Sequence, residues 1–233
     1  MDNNLLQIKF KERLNKLASN DYDNIECWQI VEAFNKAQLE WVRNQIHVNP
    51  NHKDSDESSK MQIDDIQNLL LTSKVIARKQ DLYYETDPIP ADYLYFKRVS
   101  VKGKSDCCPA RMLNVYLDET ADVDSLLTDE FKSPSLEWGE TFCTMQTNRI
   151  RIYTNNEFDI VDPKLTYYRK PRLLEIKGCV NPSTGFVYAA DVTCEFKDDV
   201  AELIVDRAIS IIAGDMESFN QMQIAQQREI QND

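Results

Sequence analysis

The chain has 233 residues, a formal net charge of −12 from 27 Lys+Arg against 39 Asp+Glu, and a composition that is 42% apolar and 28% charged. This is the profile of a soluble globular chain with one large domain or two small ones, and no apolar run approaches the ~18 residues of a bilayer span. Five glycines and two histidines work against phosphate-cradling loops, dinucleotide fingerprints, histidine triads and multi-histidine metal sites.

The N-terminus, Met1-Asp2-Asn3-Asn4-Leu5-Leu6, lacks a basic stretch followed by a long apolar one, so a secretory signal is not expected and synthesis is placed in a cytoplasm. Leu5, Ile8, Leu14 and Leu17 then fall at helical spacing and predict a short amphipathic helix, broken at Ser19-Asn20-Asp21. Asp23-Asn24 offers a cap for a second helix over 25–46, whose apolar face carries Trp28, Val31, Phe34, Trp41-Val42 and Ile46. Two tryptophans on one stripe read as core packing. Residues 48–60 have loop composition and place His52 in water, while His47 sits where a helix C-terminus favours a cation. A third helix is expected over 62–77, with Ile63, Ile66, Leu69-Leu70, Ser73 and Ile76 on its face and Asp64-Asp65 in its first turn.

From Tyr83 the chain turns to aromatic and β-branched residues. Strands are expected at 93–101, 111–117, 149–153, 157–160, 166–169 and 173–177, with a short helix at 123–129 capped by Asp122. Gly103-Lys104-Ser105 matches the end of a phosphate loop, but Arg98 stands where its opening glycine belongs, and the tripeptide reads as a turn. Asn155-Asn156 signals a tight hairpin, because asparagine tolerates the positive φ such turns demand. No strand order follows from the sequence. A last helix begins near Asp198, with Val200, Leu203-Ile204, Ala208, Ile211-Ile212, Met216 and Phe219 on one stripe. The glutamine-rich tail beyond Asn220 reads either as frayed or as an extension ordered only by a partner.

The expected class is thus α+β, a helical bundle of three N-terminal helices and a long C-terminal one packed with a mainly antiparallel β section. Its parts are 1–80 (helical), 81–196 (β-rich with one short helix) and 197–233 (helix and extension on or beside the N-terminal helices). The N- and C-terminal helices are expected to bury their single apolar faces against each other.

The six cysteines at 27, 107, 108, 143, 179 and 194 show no paired C-x-x-C spacing, and in a cytoplasmic chain of this size they read as reduced, structural thiols. No catalytic constellation appears: there is no G-x-S-x-G, H-E-x-x-H or D-x-D-x-D-G, and the paired aspartates are explained by helix starts. No catalytic residue, cofactor or metal site is assigned. Charge is uneven. Residues 198–233 hold eight acids against Arg207 and Arg228, a net −6, whereas 164–177 holds five basic residues and Glu175, a net +4. Opposite patches on one chain suit head-to-tail self-association, and each also suits a solvated face.

The run Ala201-Glu202-Leu203-Ile204-Val205-Asp206-Arg207-Ala208, continuing through Ile211-Ile212-Ala213-Gly214-Asp215-Met216-Glu217-Ser218-Phe219-Asn220-Gln221, resembles the C-terminal signature of virion structural proteins of crAss-like tailed bacteriophages. Tyr167-Tyr168-Arg169-Lys170-Pro171-Arg172, Ile150-Arg151-Ile152-Tyr153-Thr154 and Pro134-Ser135-Leu136-Glu137-Trp138 fit the same family, and the similarity runs along most of the chain. The resemblance implies a head-to-tail connector: a ring protein that docks under the portal and continues the DNA channel. Such adaptors generally form dodecameric rings, with a C-terminal extension inserted into the portal. Partners would be further copies of the chain, the portal, other ring or tail proteins, and genomic DNA passing without sequence-specific binding.

On this reading Tyr168, Arg169, Lys170 and Arg172 are candidates for the subunit interface, and Phe219, Met222 and Ile224 for portal docking, since apolar anchors on a polar extension fit a groove. The same Tyr-Tyr-Arg-Lys-Pro-Arg run also reads as an exposed strand edge guarded by charge and proline. The acidic excess would repel phosphate from a channel wall. The location is then the portal–tail region of a virion assembled in the bacterial cytoplasm. The alternatives are another virion component, such as a tail-tube or internal protein, and a nucleic-acid-handling cytoplasmic enzyme, for which Tyr167-Tyr168-Arg169-Lys170 is the one basic-aromatic patch.

Overall fold

The computed structural model describes residues 1–17, 25–46, 64–105 and 108–215. They divide into two compact units, one formed by Met1–Asn68 with Pro171–Asp233 and the other by Leu69–Lys170. The loop 48–60, both histidines, Cys107 and the docking candidates Phe219, Met222 and Ile224 lie outside the described residues.

The first unit holds α1 (Asn3–Leu17) and α2 (Cys27–Ile46) from one end of the chain and, from the other, a final helix, Asp198–Asp215. Leu6, Phe10 and Leu14 recur every four residues along α1 and are fully buried, each side chain stabilising the unit by about 2 kcal/mol. On α2 the buried face runs from Ile30 through Phe34 and Trp41, and Trp41 meets Phe196 edge-on at 5.2 Å. The final helix opens with Asp198-Asp199 at its positive dipole end and buries Val200, Ile204, Val205, Ala208 and Ile212. Charge fixes how these helices meet. Arg13 bonds Asp206 at 2.7 Å and also pairs with Glu202, which takes Lys9 as well, while Arg207 reaches Glu40 at 3.0 Å.

Residues 173–177, expected as a strand, form none. Only two isolated bridges, Glu175 with Val192 and Val180 with Val187, order the run from 171 to 197. Helix side chains take the place of neighbouring strands. The Asn35 amide donates to the Leu174 carbonyl (3.2 Å) and accepts from the Leu174 N–H (2.7 Å), and fully buried Gln38 donates to the Arg172 carbonyl at 2.8 Å. Asn3 donates to the Glu175 carbonyl at 2.8 Å. Each contact removes a buried backbone group from the unsatisfied state. A disulfide between Cys27 and Cys179 fastens the same run to the start of α2. The reduced reading of these two cysteines is therefore corrected: the fold brings their Cα atoms to 5.9 Å, which sequence spacing does not reveal.

The second unit is an eight-stranded sheet: β1 (Leu70–Lys74), β2 (Ala77–Lys79), β3 (Tyr83–Thr86), β4 (Tyr93–Ser105), β5 (Cys108–Leu117), β6 (Glu140–Gln146), β7 (Arg149–Tyr153) and β8 (Asp159–Arg169). Its order is β1-β8-β4-β5-β6-β7-β3-β2, all neighbours antiparallel except β5 and β6. The parallel pair requires a crossover, which residues 118–139 supply with a short helix, α3 (Val123–Thr128); the final helix is α4. The two edge strands are consecutive in the chain, separated by Val75 and Ile76 alone. Val75 N–H donates to Pro163 of β8, and the Ile76 carbonyl accepts from Asp87 just past β3. One bent stretch thus serves both edges, and the sheet curls into a half-barrel. Register shifts along β4 mark the bulges that permit the curl. Val99, Val101, Leu113, Ile150, Ile152 and Leu165 fill its concave core.

The helical-bundle expectation is overturned: among the described residues helices are few, sheet dominates, and no bundle of three N-terminal helices forms. Of the third helix expected over 62–77, residues 64–66 are α-helical, whereas Gln67–Leu69 form a 3₁₀ turn and 70–79 the bent edge of the sheet. Leu69, Leu70, Ser73 and Ile76 keep helical spacing, but Thr72, Val75 and Ile76 are β-branched and the ladder to β8 decides. Gly103 lies inside β4, not in a turn: a Cβ there would stand 2.8 Å from Leu113 Cδ1 and 2.9 Å from Leu136 Cδ1. Asn155 and Asn156 do adopt positive φ (47° and 60°), yet they join β7 to β8, which are not neighbours. The tight hairpin is β6–β7, turning at Thr147-Asn148 with φ of 50° and 58°.

Candidate functional site

Three surfaces compete for a functional role. The first is the Tyr-Tyr-Arg-Lys-Pro-Arg run. Tyr168 is 7% exposed, paired with Leu70 on one side and Tyr95 on the other, so its ring belongs to the sheet and cannot serve a neighbouring subunit. Arg169 ends β8 half-buried, Lys170 is exposed with its N–H on the Asp92 carbonyl at 2.6 Å, and Arg172 is exposed in the first unit with its N–H on Glu195. The boundary between the units falls inside the run, after Lys170.

The expected acidic counterpart of this run is also altered. On α4, Glu202 and Asp206 are neutralised by Lys9 and Arg13. These carboxylates hold helices together and offer little charge to another molecule.

The second surface is the β5–β6 crossover. Between residues 118 and 140 it carries eight carboxylates against Lys132 alone, a net −7. Among the described residues no ion pair reaches any of these carboxylates. The same segment presents Phe131 at 87% exposure and Trp138 at 77%. Local bonds impose this. Asp129 accepts the Phe131 N–H at 2.9 Å, and Ser135 and Glu140 bridge across a turn that closes through Gly139 at φ +73°. Arg111 donates to the Glu137 carbonyl at 2.5 Å, and within this turn Leu136 points to the core while Trp138 points to solvent. Beside it a cleft of about 250 Å³ is lined by Tyr116, Leu126, Phe131 and Phe142, and Tyr116 donates to Glu140 at 3.1 Å. An exposed ring of 150–250 Å² that becomes buried in a contact contributes about 4 kcal/mol. Phe131 and Trp138 thus both stand exposed on one acidic segment.

The third surface belongs to the first unit. The disulfide anchors a hairpin in which the Asn181 N–H donates to the Phe186 carbonyl at 2.8 Å, leaving Phe186 58% and Val187 51% exposed. Trp28, placed in the core by its spacing, is instead half-exposed and borders a cleft of about 260 Å³ with Leu173, Ser183 and Tyr188.

Chemistry is sparse on these surfaces. Among the described residues no three His, Cys, Asp or Glu side chains are placed to hold a metal ion. Burial pushes the Cys143 thiol up to about 12 and raises that of Cys194, which keeps both protonated and poor nucleophiles. No helix among the described residues is long and apolar enough to cross a membrane. No protein-family model matches the chain, and no curated protein matches it.

The crossover was open to detection: its acidity is a plain run of charge in the sequence. Its exposed rings were not, because Phe131 and Trp138 have no periodicity that separates a buried ring from a presented one.

Proposed function

We propose that the chain is a non-enzymatic structural protein of a tailed-phage particle, a ring that joins portal to tail and continues the DNA channel. The observation that carries this reading is the acidic crossover with Phe131 and Trp138 turned to solvent: such rings stabilise a protein once another surface covers them. Arg169, Lys170 and Arg172 remain candidates for subunit contact, without Tyr168. The net charge of −12 suits a conduit from which DNA is repelled and through which it slides. The Cys27–Cys179 disulfide supports residence in a released particle, since disulfides persist on virions although a cytoplasm reduces them.

Native mass spectrometry of the purified protein, alone and with its cognate portal, tests the reading. A defined multimer on the portal supports a connector. A monomer indifferent to the portal excludes it and favours another virion component.

A further inference from the structure

We propose that the acidic crossover of one copy docks on the basic outer face of β4 in the next, so that identical chains join head to tail. The inference rests on the ring reading above and names its interface.

β4 carries Lys97, Arg98, Lys102 and Lys104 and no acid, a local +4. Val101 and Gly103 are buried on the concave side, which turns Lys102 outward, opposite Met112 of β5 and Val161 of β8. Arg98 and Lys97 are exposed further along the strand. Lys104 stands beside Asp159, but no ion pair among the described residues involves Lys97, Arg98 or Lys102. On the other side of β5, register places Glu140 next to Asn114, and there the acidic crossover ends. One unit therefore carries −7 on one flank and, from Lys97, Arg98 and Lys102, +3 on the other, with no ion pair to either set among the described residues. Flanks of unlike sign on one body complement each other between copies, and repetition of such a heterologous contact generates a ring. Phe131 and Trp138 supply the apolar anchors and the carboxylates the steering rim.

The test uses two charge-reversed full-length variants, Lys97→Glu/Arg98→Glu/Lys102→Glu, which takes β4 from +4 to −2, and Glu119→Lys/Asp122→Lys/Asp124→Lys/Glu130→Lys/Glu137→Lys, which takes the crossover from −7 to +3, sized by light scattering beside the wild type. Each variant alone is expected to stay monomeric where the wild type assembles, because both of its flanks then carry one sign. Mixed in equal amounts, they are expected to rebuild a wild-type-sized multimer, since every junction again pairs plus with minus. A mixture that stops at dimers overturns the head-to-tail contact in favour of a two-fold one. If either variant assembles alone as the wild type does, this interface fails and the ring reading survives. A wild type monomeric even on the portal overturns both. Should a charge variant lose its thermal transition, Phe131→Ser/Trp138→Ser replaces it: at least tenfold weaker assembly supports the interface, and unchanged assembly overturns it.

Discussion

Gln38 shows how a single side chain can stand in for a β-ladder. It is fully buried in the first unit, donates to the Arg172 carbonyl, and accepts a weak bond from the Cys194 thiol at 3.8 Å. Replacing it with leucine keeps the volume but leaves the part-buried Arg172 carbonyl without this donor, which costs about 1–3 kcal/mol. Urea denaturation of Gln38→Leu should show that loss with an unchanged m-value, and full wild-type stability would mean that water reaches the Arg172 carbonyl. None of this was legible. Leu173, Leu174 and Ile176 looked like a strand because their composition is that of one, while the amides that satisfy their backbone come from residues more than 130 positions away. Sequence pattern records which residues avoid water, not which distant amide will meet a carbonyl. By contrast the positive φ at Asn155 and Asn156 was legible, because it depends on local sterics alone.

Whole elements were readable where local propensity and tertiary pairing agree. The helices α1, α2, α3 and α4 and the strands β4, β5 and β7 appear close to their expected places, whereas β6 was missed and 70–77 was assigned to a helix. That stretch is a strand only because β8 and β3 flank it. The three-residue β2 gains further hold from side chains: Lys79 Nζ and Tyr84 OH both donate to Asp159 Oδ1, at 2.8 and 2.7 Å. The bonds from Lys79 and then Tyr84 keep the Asp159 carboxyl below its ordinary 3.8, and the bond to Asp159 raises Lys79 above 10.5. The lowered carboxyl contributes at pH values above its unfolded pKa, and that contribution is lost as pH falls through the lowered folded value. The raised amine contributes below its unfolded pKa and is lost as pH rises through its folded value. Both groups are charged across the neutral range. Hydrogen exchange at β2 amides, corrected for intrinsic rates, should therefore show constant protection from pH 5 to 9 and weaker protection below about pH 4. In Asp159→Asn the acid-side loss should vanish, and its persistence would assign the acid sensitivity to another carboxylate.

Across the whole molecule, the charge windows taken from the sequence count acids that the fold pairs internally. The acids of α4 look free in one dimension, but Glu202 and Asp206 are matched by Lys9 and Arg13 from nearly 200 residues away, and the crossover keeps the unmatched excess. The disulfide has the same long reach. Cys27 and Cys179 close a loop with a sequence separation of 152, so Cys27→Ser should lower stability by about 2–5 kcal/mol, read as a drop in Tm matched by adding dithiothreitol to the wild type. A variant that melts like the oxidised wild type would show that helix packing alone fixes the 171–197 run. Long-range closure also decides what the C-terminal residues can do. Among the described residues the buried stripe of α4 runs from Val200 to Ala213 and its ion pairs include Asp206 and Arg207. Deleting 220–233 should leave Tm within about 1 °C of the full chain, the size of effect expected away from core, cap or buried pairs. If Phe219, Met222 and Ile224 are the anchors that reach the portal, the same deletion should weaken portal binding at least tenfold, since two or three buried apolar side chains exceed the 1.4 kcal/mol that a factor of ten represents. Titration of the truncated and full-length proteins onto the portal separates the cases. Equal affinity would remove the tail from the docking surface, and a fallen Tm would return it to the core of the first unit.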